Sequence, residues 1–214
     1  MIKVGEIYET NNYGTLEVIR YINSKKVRVR FVETGYERYT QAGDIYRGVV
    51  KDPLSPSVCG VGYLGVGDYV TKIKGEHTKE YQTWNNMLKR CYADTSLKRY
   101  PSYAGCTVSR GRHNFQVFAT WFTDNYLDGY PLDKDIKIPG NKVYGPDTCM
   151  FVTPEENVEA AMAVTAVFRS PTGERHEVYN VAQFSREQGL HKGHLIGVKN
   201  GKRKTHKGWT KWSD

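Results

Sequence analysis

Residues 132–157, LDKDIKIPGNKVYGPDTCMFVTPEEN, constrain the fold more than any other part of the 214-residue chain. Short runs at 130–133 and 148–152 predict two strands, and Pro-Gly-Asn at 139–141 predicts a turn between them. A helix start follows, with the pattern of a capping box and a proline at the first helical position: Thr153, Pro154 and Glu156. The segment therefore predicts a β-β-α unit whose first strand ends in acidic residues.

This β-β-α unit would bring a carboxylate and an amide towards one place. Asp133 ends the first predicted strand, and Asn157 lies in the first turn of the helix. Carboxylate and amide oxygens form a hard site suited to Mg²⁺ or Mn²⁺, which would bind a scissile phosphate. In the structural alternative, Asp133 and Asp135 are solvated turn residues and Asn157 hydrogen-bonds the backbone. The spacing leaves both interpretations open.

The first 50 residues have the alternation of β-strands. TLEVIRYI and KKVRVRFV are β-rich runs joined by an Asn-Ser turn. Val27, Val29 and Phe31 alternate with Arg28 and Arg30, which predicts a hairpin with one buried face. Further strands up to about residue 50 would give a small β-barrel of the SH3-like kind.

The middle of the chain divides into a Pro/Gly-rich stretch and a mainly helical part. Residues 51–68 predict a linker or an extended arm. In residues 69–165, HTKEYQTWNNMLKRCY predicts a helix capped by Thr78, and HNFQVFATWF predicts a helix whose aromatic stripe packs in a core. EENVEAAMAVTAVF predicts a further helix that continues to Phe168.

Residues 166–214 predict a small helix-turn-helix-like unit. A hairpin is expected about Pro171-Thr172-Gly173, and Asn180 is expected to cap a short helix. A second short helix, from about 191 to 199, would follow a tight Gly-containing turn and precede a basic strand. The complete pattern predicts an α+β protein with a β-barrel, a β-β-α unit and this C-terminal unit.

Charge is concentrated in residues 166–214, which carry ten Lys and Arg against four Asp and Glu, a net charge of +6 out of +8 for the chain. A basic tail interleaved with aromatic residues attracts a phosphate backbone, whereas a solvated basic face is the alternative. Trp209 is expected to pack against the two helices rather than stack on a base. The candidate DNA-binding residues are Lys192, His194, Lys199, Lys202, Arg203, Lys204, Lys207 and Lys211.

Composition favours a protein that neither inserts into a membrane nor is secreted. No apolar run is long enough to span a bilayer, and MIKVGEIYET has no basic stretch followed by an apolar one. Cytoplasmic location is therefore expected. The four cysteines include no CxxC pair, so reduced thiols are expected and structural zinc is not.

Several motifs together resemble those of phage-encoded proteins related to HNH homing endonucleases. Over residues 81–157 they are WNNMLKRCY, YPSYAGCTV, RHNFQVFATW, LDKDI, GNKVYGPDTCMFV and EEN. GEIYETNNYG and VRVRFVETGYE resemble the β domain that leads many of these proteins, and VYNVAQFSREQGL resembles their modular DNA-binding repeats. The resemblance implies residues 1–50 as an SH3-like domain, 51–68 as a linker, 69–165 as an HNH-like domain and 166–214 as a DNA-binding domain. A phage-encoded protein would act in the host cytoplasm.

The resemblance also implies roles for individual residues. Asp133 falls at the first metal-ligand position and Asn157 at the helix ligand position, and Asn141 matches the loop asparagine that orients the general base. The general-base histidine of the family is replaced by Lys134. An ordinary lysine, with a pKa of about 10.4, is protonated at pH 7 and cannot accept the proton.

Three alternatives remain for the missing base. Asp135 could accept the proton, His113 could supply a base from the preceding segment, or Lys134 could stabilise phosphate charge while a metal-bound hydroxide attacks. The function expected is metal-dependent hydrolysis of double-stranded DNA with Mg²⁺ or Mn²⁺. A catalytically inactive DNA-binding or regulatory protein is the alternative, and an RNA- or protein-binding adaptor built on the β domain is a third. No membrane partner is expected, and the β domain's protein partner is unknown.

Overall fold

The computed structural model describes residues 2–213, without the side chain of Ala161. It combines helices with short, mainly antiparallel sheets, which confirms the α+β class. The described residues form two compact units. The first runs up to Tyr126 and includes Lys142–Cys149, and the second contains Leu127–Asn141 and the residues from Met150 onward. The finer division into four segments stays a prediction.

The N-terminal part is an antiparallel sheet followed by a short helix. Its elements are β1 (Ile7–Glu9), β2 (Thr15–Asn23), β3 (Lys26–Phe31), β4 (Glu37–Thr40) and α1 (Ala42–Tyr46). Val27, Val29 and Phe31 are buried while Arg28 and Arg30 are exposed, so the predicted hairpin with one buried face is confirmed. The sheet order is β1-β2-β3-β4, and no pairing of β1 with β4 closes a barrel within residues 2–213.

The central segment contains twelve helices and strands between residues 72 and 161. In chain order they are β5 (Lys72–Ile73), β6 (Glu76–His77), α2 (Lys79–Tyr92), α3 (Asp94–Arg99), 3₁₀ helices at Pro101–Tyr103 and Arg110–His113 on either side of β7 (Thr107–Val108), α4 (Phe115–Asn125), β8 (Leu132–Asp133), β9 (Val143–Tyr144), β10 (Met150–Phe151) and α5 (Pro154–Ala161). Helices α2 and α4 pack together in the first unit, with the Trp84 and Phe115 rings 5.5 Å apart. The predicted aromatic core is therefore confirmed.

The Pro/Gly-rich stretch is anchored on the first unit's helices. Tyr63 donates its backbone N–H to the carbonyl of His113, and Phe115 donates to the carbonyl of Tyr63, both at 2.9 Å. Gly62 is buried, and a Cβ there would lie 2.3 Å from Leu88 Cδ1. Glycine is needed at this position because the backbone approaches α2 closely.

The β-β-α unit forms as predicted, although its helix is shorter. β8 pairs antiparallel with β10, and α5 starts at a capping box in which Thr153 and Glu156 exchange hydrogen bonds. The prediction that this helix continues to Phe168 is wrong, because α5 ends at Ala161 and a strand begins at Ala166. β-branched Val and Thr residues in this stretch favour strand pairing, which the following hairpin provides.

The C-terminal part is a sheet with two helices on one face. Its elements are β11 (Ala166–Arg169), β12 (Arg175–Val178), α6 (Val181–Glu187), α7 (Lys192–Lys199), β13 (Thr205–His206) and β14 (Trp209–Lys211), with the strands in the order β12-β11-β14-β13. Asn180 caps α6 by accepting the N–H groups of Ala182 and Gln183, as predicted. The buried core joins both layers through Phe168, Val178, Val181, Leu195, Val198 and Trp209.

None of the helices in the described chain combines the length and apolar character needed to span a bilayer. The cysteines are free thiols, of which Cys91, Cys106 and Cys149 are buried and Cys59 is half-buried. Burial rather than a CxxC arrangement therefore accounts for their positions.

Candidate functional site

Asp133, at the end of β8, is oriented by the loop that follows it. Its Oδ1 accepts the backbone N–H groups of Asp135 at 2.8 Å and Ile136 at 2.7 Å. Two such bonds form an Asx turn, in which the carboxylate takes the place of a backbone acceptor. The half-buried carboxylate is consequently held in place instead of rotating in solvent.

A second acidic residue shares this environment. Burial raises the pKa of the Asp133 carboxyl above its ordinary value, the two backbone N–H bonds oppose this rise, and the Asp135 carboxylate adds to it. Carboxyl groups this close disfavour each other's charge, and a divalent cation would relieve the repulsion by replacing the proton.

Lys134 and Asn141 complete the same loop. Lys134 is 5% exposed, and its Nζ lies 2.8 Å from Asp135 Oδ2. Asn141 donates its Nδ2 to the backbone carbonyl of Lys134 at 2.7 Å. The carboxylate at 2.8 Å favours the charged form of Lys134, whereas burial opposes it, and the role of Lys134 stays a prediction. The structure thus brings together four of the residues selected from sequence: Asp133, Lys134, Asp135 and Asn141.

Asn157 follows β10, the strand that pairs with β8, and its role as a metal ligand stays a prediction. It lies half-buried in the first turn of α5, where its backbone N–H donates to Thr153 O at 3.0 Å. Across residues 2–213, no group of three or more His, Cys, Asp or Glu side chains is arranged to hold a metal. A cation bound by Asp133 and neighbouring oxygens would therefore keep several waters, as Mg²⁺ does in proteins.

His113 belongs to the first unit, in the turn that precedes α4. The Tyr92 hydroxyl lies 3.4 Å from His113 Nε2, and the same hydroxyl accepts the backbone N–H of Val108 at 2.8 Å. The ring therefore has a defined neighbour within its own unit. Its assignment as a general base stays a prediction.

The basic residues predicted to bind DNA cluster on α7 and on the segment from α7 to β14. Most are exposed, namely Lys192, His194, Lys202, Arg203, Lys204, Lys207 and Lys211. Lys199 is half-buried in the last turn of α7. Lys207 donates its Nζ to Gly189 O at 2.9 Å, so it also ties the turn between α6 and α7 to the later loop.

Aromatic residues in this part have separate roles. Trp209 is 7% exposed, and its ring meets Phe184 edge-to-face at 5.0 Å, which confirms that it packs in the core. His194 lies between the rings of His191 and His206, with centroid distances of 4.4 and 4.8 Å. His206 Nε2 accepts the backbone N–H of His191, so this imidazole is neutral at Nε2 when the contact is made.

Two further features, the arginines beside Trp212 and the buried Arg112, are not predicted by the sequence. Arg169 and Arg175 lie over the Trp212 ring, with Cζ 4.8 and 5.9 Å from its centroid. The hairpin predicted about residues 171–173 is confirmed and contains both arginines, but the position of Trp212 beside them depends on the pairing of β14 with β11. Arg112 is 2% exposed and stacks on Trp121 at 3.9 Å, and its guanidinium nitrogens have no hydrogen-bond partner among the described residues. Nothing in the motif RGRHNF signals that burial.

Burial also sets the electrostatics of Arg112. Removal from solvent lowers the pKa of its guanidinium, and this effect is opposed by the nearby Cys149 thiol and Asp147 carboxylate. Stacking on an aromatic ring partly offsets the loss of solvent. Arg112 is therefore an integral part of the α4 core in the first unit.

Comparison with family models and with curated proteins finds no match. Among solved structures, the chain is similar to an HNH homing endonuclease. That structure is described as "DNA binding and cleavage by the HNH homing endonuclease I-HmuI". The match has 15% sequence identity and a TM-score of 0.22, and it covers 97% of this chain and 86% of that chain. At this TM-score the likeness carries no argument about this chain, so the functional conclusions depend on its own residues.

Proposed function

We propose that the chain is a metal-dependent DNA endonuclease of the phage homing type, with an SH3-like domain, an HNH-like domain and a basic DNA-binding domain. The observation that carries the proposal is the oriented acidic pair of Asp133 and Asp135 at the strand end of a β-β-α unit. A carboxyl whose pKa is raised by burial and by a neighbouring carboxylate supports a functional site at this position.

The oxygen donors in this unit fit a hard divalent cation. Asp133, with Asn157 from the first turn of α5, would hold Mg²⁺ or Mn²⁺, while Asp133 Oδ1 keeps its backbone hydrogen bonds. When bound, such a cation supplies Lewis-acid polarisation of a phosphate and a more acidic water. The protein's own contribution is to orient the carboxylate before substrate arrives.

The remaining residues of the loop suit charge stabilisation and proton transfer. Lys134 lies beside the acidic pair as a cation, which would stabilise charge that develops on a phosphate oxygen. Asp135 is the nearest candidate base, since its side chain is 44% exposed and can meet water. Asn141 positions the loop by its bond to the Lys134 carbonyl, and His113 is the alternative base.

DNA would be bound by the basic C-terminal part. Its exposed lysines and arginines would neutralise phosphates, which makes affinity depend steeply on salt. Lys192 and His194 lie in the first turn of α7, where a helix can approach a groove. These contacts would position the duplex without defining its sequence.

Asp133→Asn is the variant that tests this function most directly. Asparagine keeps an oxygen that can accept the N–H groups of Asp135 and Ile136, whereas alanine would also remove the Asx turn. Cleavage of supercoiled and linear DNA with Mg²⁺ or Mn²⁺ should fall at least about 100-fold, since even groups that only support metal ligands contribute 10–100-fold. EDTA should abolish cleavage by the unmodified protein, and DNA binding should persist in the variant.

Asp124→Asn provides the matched control, because Asp124 is an exposed carboxylate in α4 of the first unit. It should cleave as well as the unmodified protein. A further readout is thermal stability, which should rise with Mn²⁺ in the unmodified protein and not in Asp133→Asn. Undiminished cleavage by Asp133→Asn would refute the assignment of the metal site.

One observation favours a second candidate, a catalytically inactive DNA-binding protein on the same scaffold. The Lys134–Asp135 ion pair neutralises one carboxylate of the pair without any metal. A site compensated in this way can be stable as a purely structural loop. DNA that is bound but left intact with every metal, together with no stabilisation by Mn²⁺, would support this candidate.

A further inference from the structure

The C-terminal sheet has one face that its helices leave uncovered. On β11, Phe168 points into the core shared with α6 and α7, so its neighbours Val167 and Arg169 point to the opposite face. On β12, Arg175 pairs with Arg169 and Glu177 pairs with Val167, which places both on that face. We call the surface formed by Arg169, Arg175, Glu177, Thr210 and Trp212 the outer face of the C-terminal sheet.

Two like charges lie directly opposite each other on this outer face. Arg169 and Arg175 form a cross-strand pair, an arrangement that destabilises a sheet when nothing compensates it. Arg175 has an ion pair with Glu177, whereas no carboxylate within the described chain forms an ion pair with Arg169. Arginine side chains held together in this way have a strong affinity for an anion.

Trp212 orders the two guanidinium groups. Its backbone N–H donates to Val167 O at 3.1 Å, which extends β14 along β11. Arg169 and Arg175 then lie over its ring at 4.8 and 5.9 Å. Stacking limits the rotamers of both exposed arginines, so less entropy is lost when an anion binds.

We propose that the outer face of the C-terminal sheet is a second DNA-binding surface, which contacts duplex phosphates through Arg169 and Arg175. The inference rests on the proposed DNA-binding function and adds a surface on the side of the sheet opposite to α6 and α7. Guanidinium groups on the exposed face of a sheet can form hydrogen bonds with the phosphates of a duplex. Glu177 limits the affinity because its carboxylate repels the same phosphates.

The salt dependence of binding to a fluorescent mixed-sequence duplex tests the proposal. For Arg169→Gln/Arg175→Gln, the slope of log affinity against log salt should become less steep by about 2, since each lost phosphate contact changes it by about 0.9. Arg28→Gln/Arg30→Gln is the matched control, because it removes the same charge from exposed strand positions that are already ion-paired. That control should keep the slope of the unmodified protein.

Glu177→Gln tests the same surface and should raise DNA affinity instead of lowering it. Removing its carboxylate frees Arg175 and removes a repulsion, so DNA should bind more tightly at low salt. Lys202→Gln/Lys204→Gln separates this surface from the basic segment after α7, and it should also reduce the slope. Its effect should add to that of the arginine pair because the positions are on different surfaces.

The outcomes distinguish the outer face from DNA binding as a whole. A slope unchanged in Arg169→Gln/Arg175→Gln but reduced in Lys202→Gln/Lys204→Gln would overturn the second surface and leave the proposed function intact. Absence of DNA binding by the unmodified protein would overturn both. An equal loss in Arg28→Gln/Arg30→Gln would show that net charge, and not the outer face, determines affinity.

Discussion

The two four-stranded sheets of this protein are built alike and carry arginines in different electrostatic settings. In the N-terminal sheet, Arg28 pairs with Glu37 at 2.6 Å and Arg30 pairs with Glu17 at 2.7 Å. Arg28 also lies opposite Arg20 across β2 and β3, although it keeps its ion pair with Glu37. In the C-terminal sheet, Arg169 faces Arg175, both lie over the Trp212 ring, and Arg169 has no ion pair within the described residues. The difference between the sheets is therefore that the N-terminal pair is partly compensated at Arg28, whereas Arg169 is uncompensated and stacked.

This difference separates a solvated surface from a candidate binding surface. Exposed ion pairs contribute little to stability, but they do cancel the local field. Like charges on adjacent strands reinforce that field and attract anions. The charge opposite each arginine in the sheet therefore indicates a nucleic-acid-binding surface better than the number of basic residues does.

The largest expected effect concerns the cores beneath the two sheets. Phe31 and Phe168 are both fully buried, so Phe31→Ala and Phe168→Ala should each lower the free energy of unfolding by about 3–5 kcal/mol. Hydrogen exchange should show the loss of protection in the sheet that carries the change. Chemical denaturation would measure the size of the effect.

The exposed neighbour of Phe31 supplies the control for this pair. Val32 is 55% exposed, and Val32→Ala should change stability by no more than about 0.5 kcal/mol. Equal loss of protection in both sheets from Phe168→Ala alone would mean that they unfold together, and the comparison of two independent sheets would fail.

A smaller effect on stability should distinguish the N-caps of α1 and α6. Asn180 accepts two N–H groups at the start of α6, whereas Gln41, at the same position before α1, makes no side-chain cap. Asn180→Ala should cost about 1 kcal/mol and Gln41→Ala close to nothing, as measured by urea denaturation. Comparable losses in both variants would show that the cap is not the stabilising group.

Substitution of Arg30 and of Arg169 should change the stability of their sheets in opposite directions. Arg30→Gln removes an ion pair and should destabilise the N-terminal sheet by about 0.2–1 kcal/mol. Arg169→Gln removes a cross-strand repulsion and should stabilise the C-terminal sheet by a similar amount at low salt. Destabilisation by Arg169→Gln in thermal melts would show that stacking on Trp212 outweighs the repulsion.

Mild acid should affect only the C-terminal part. Loss of solvent and the charge of Arg203 lower the pKa of His194 and His206 below 6.5, so the unfolded chain binds protons first. Stability is therefore lost as pH falls through 6.5 towards the lowered values. Melts recorded from pH 7.5 to 5.5 should show this loss, and His194→Gln/His206→Gln should reduce it.

The stability of the N-terminal sheet should instead fall in stronger acid and in alkaline solution. The hydrogen bond to Glu6 raises the pKa of Tyr8 to about 12, and the same contact lowers the pKa of Glu6 below 4.5. Stability supplied by this pair is fully present between pH 4.5 and 10, and it is lost as pH falls from 4.5 through the lowered pKa of Glu6 and as pH rises from 10 towards 12. Loss of protection in β1–β4 at pH 6 would contradict this distinction.

Local patterns in the sequence were sufficient for much of the secondary structure. Alternation at Val27, Val29 and Phe31 predicted the first hairpin, and the capping box at Thr153 predicted the start of α5. Asn180 likewise predicted the start of α6. Each signal acts over a few residues, through side-chain alternation or through a hydrogen bond to the nearby backbone, so it can be recognised without the fold.

Features that depend on distant partners were missed. Residues 162–168 are predicted as helix, but Ala166–Phe168 belong to β11, which pairs with the neighbouring β12 and with the distant β14. The close approach of Gly62 to α2 and the burial of Arg112 are also products of packing. Propensity is a weak guide at such positions because tertiary contacts outweigh it.

The sequence by itself determined the α+β class, the β-β-α segment around Asp133, the two capped helices and the concentration of positive charge after residue 166. Only the tertiary structure decided that Lys134 is buried beside Asp135 and that Arg169 and Arg175 lie over the Trp212 ring. The physical reason is range: caps and alternation act between near neighbours, whereas burial and the pairing of β11 with β14 depend on which distant segments meet.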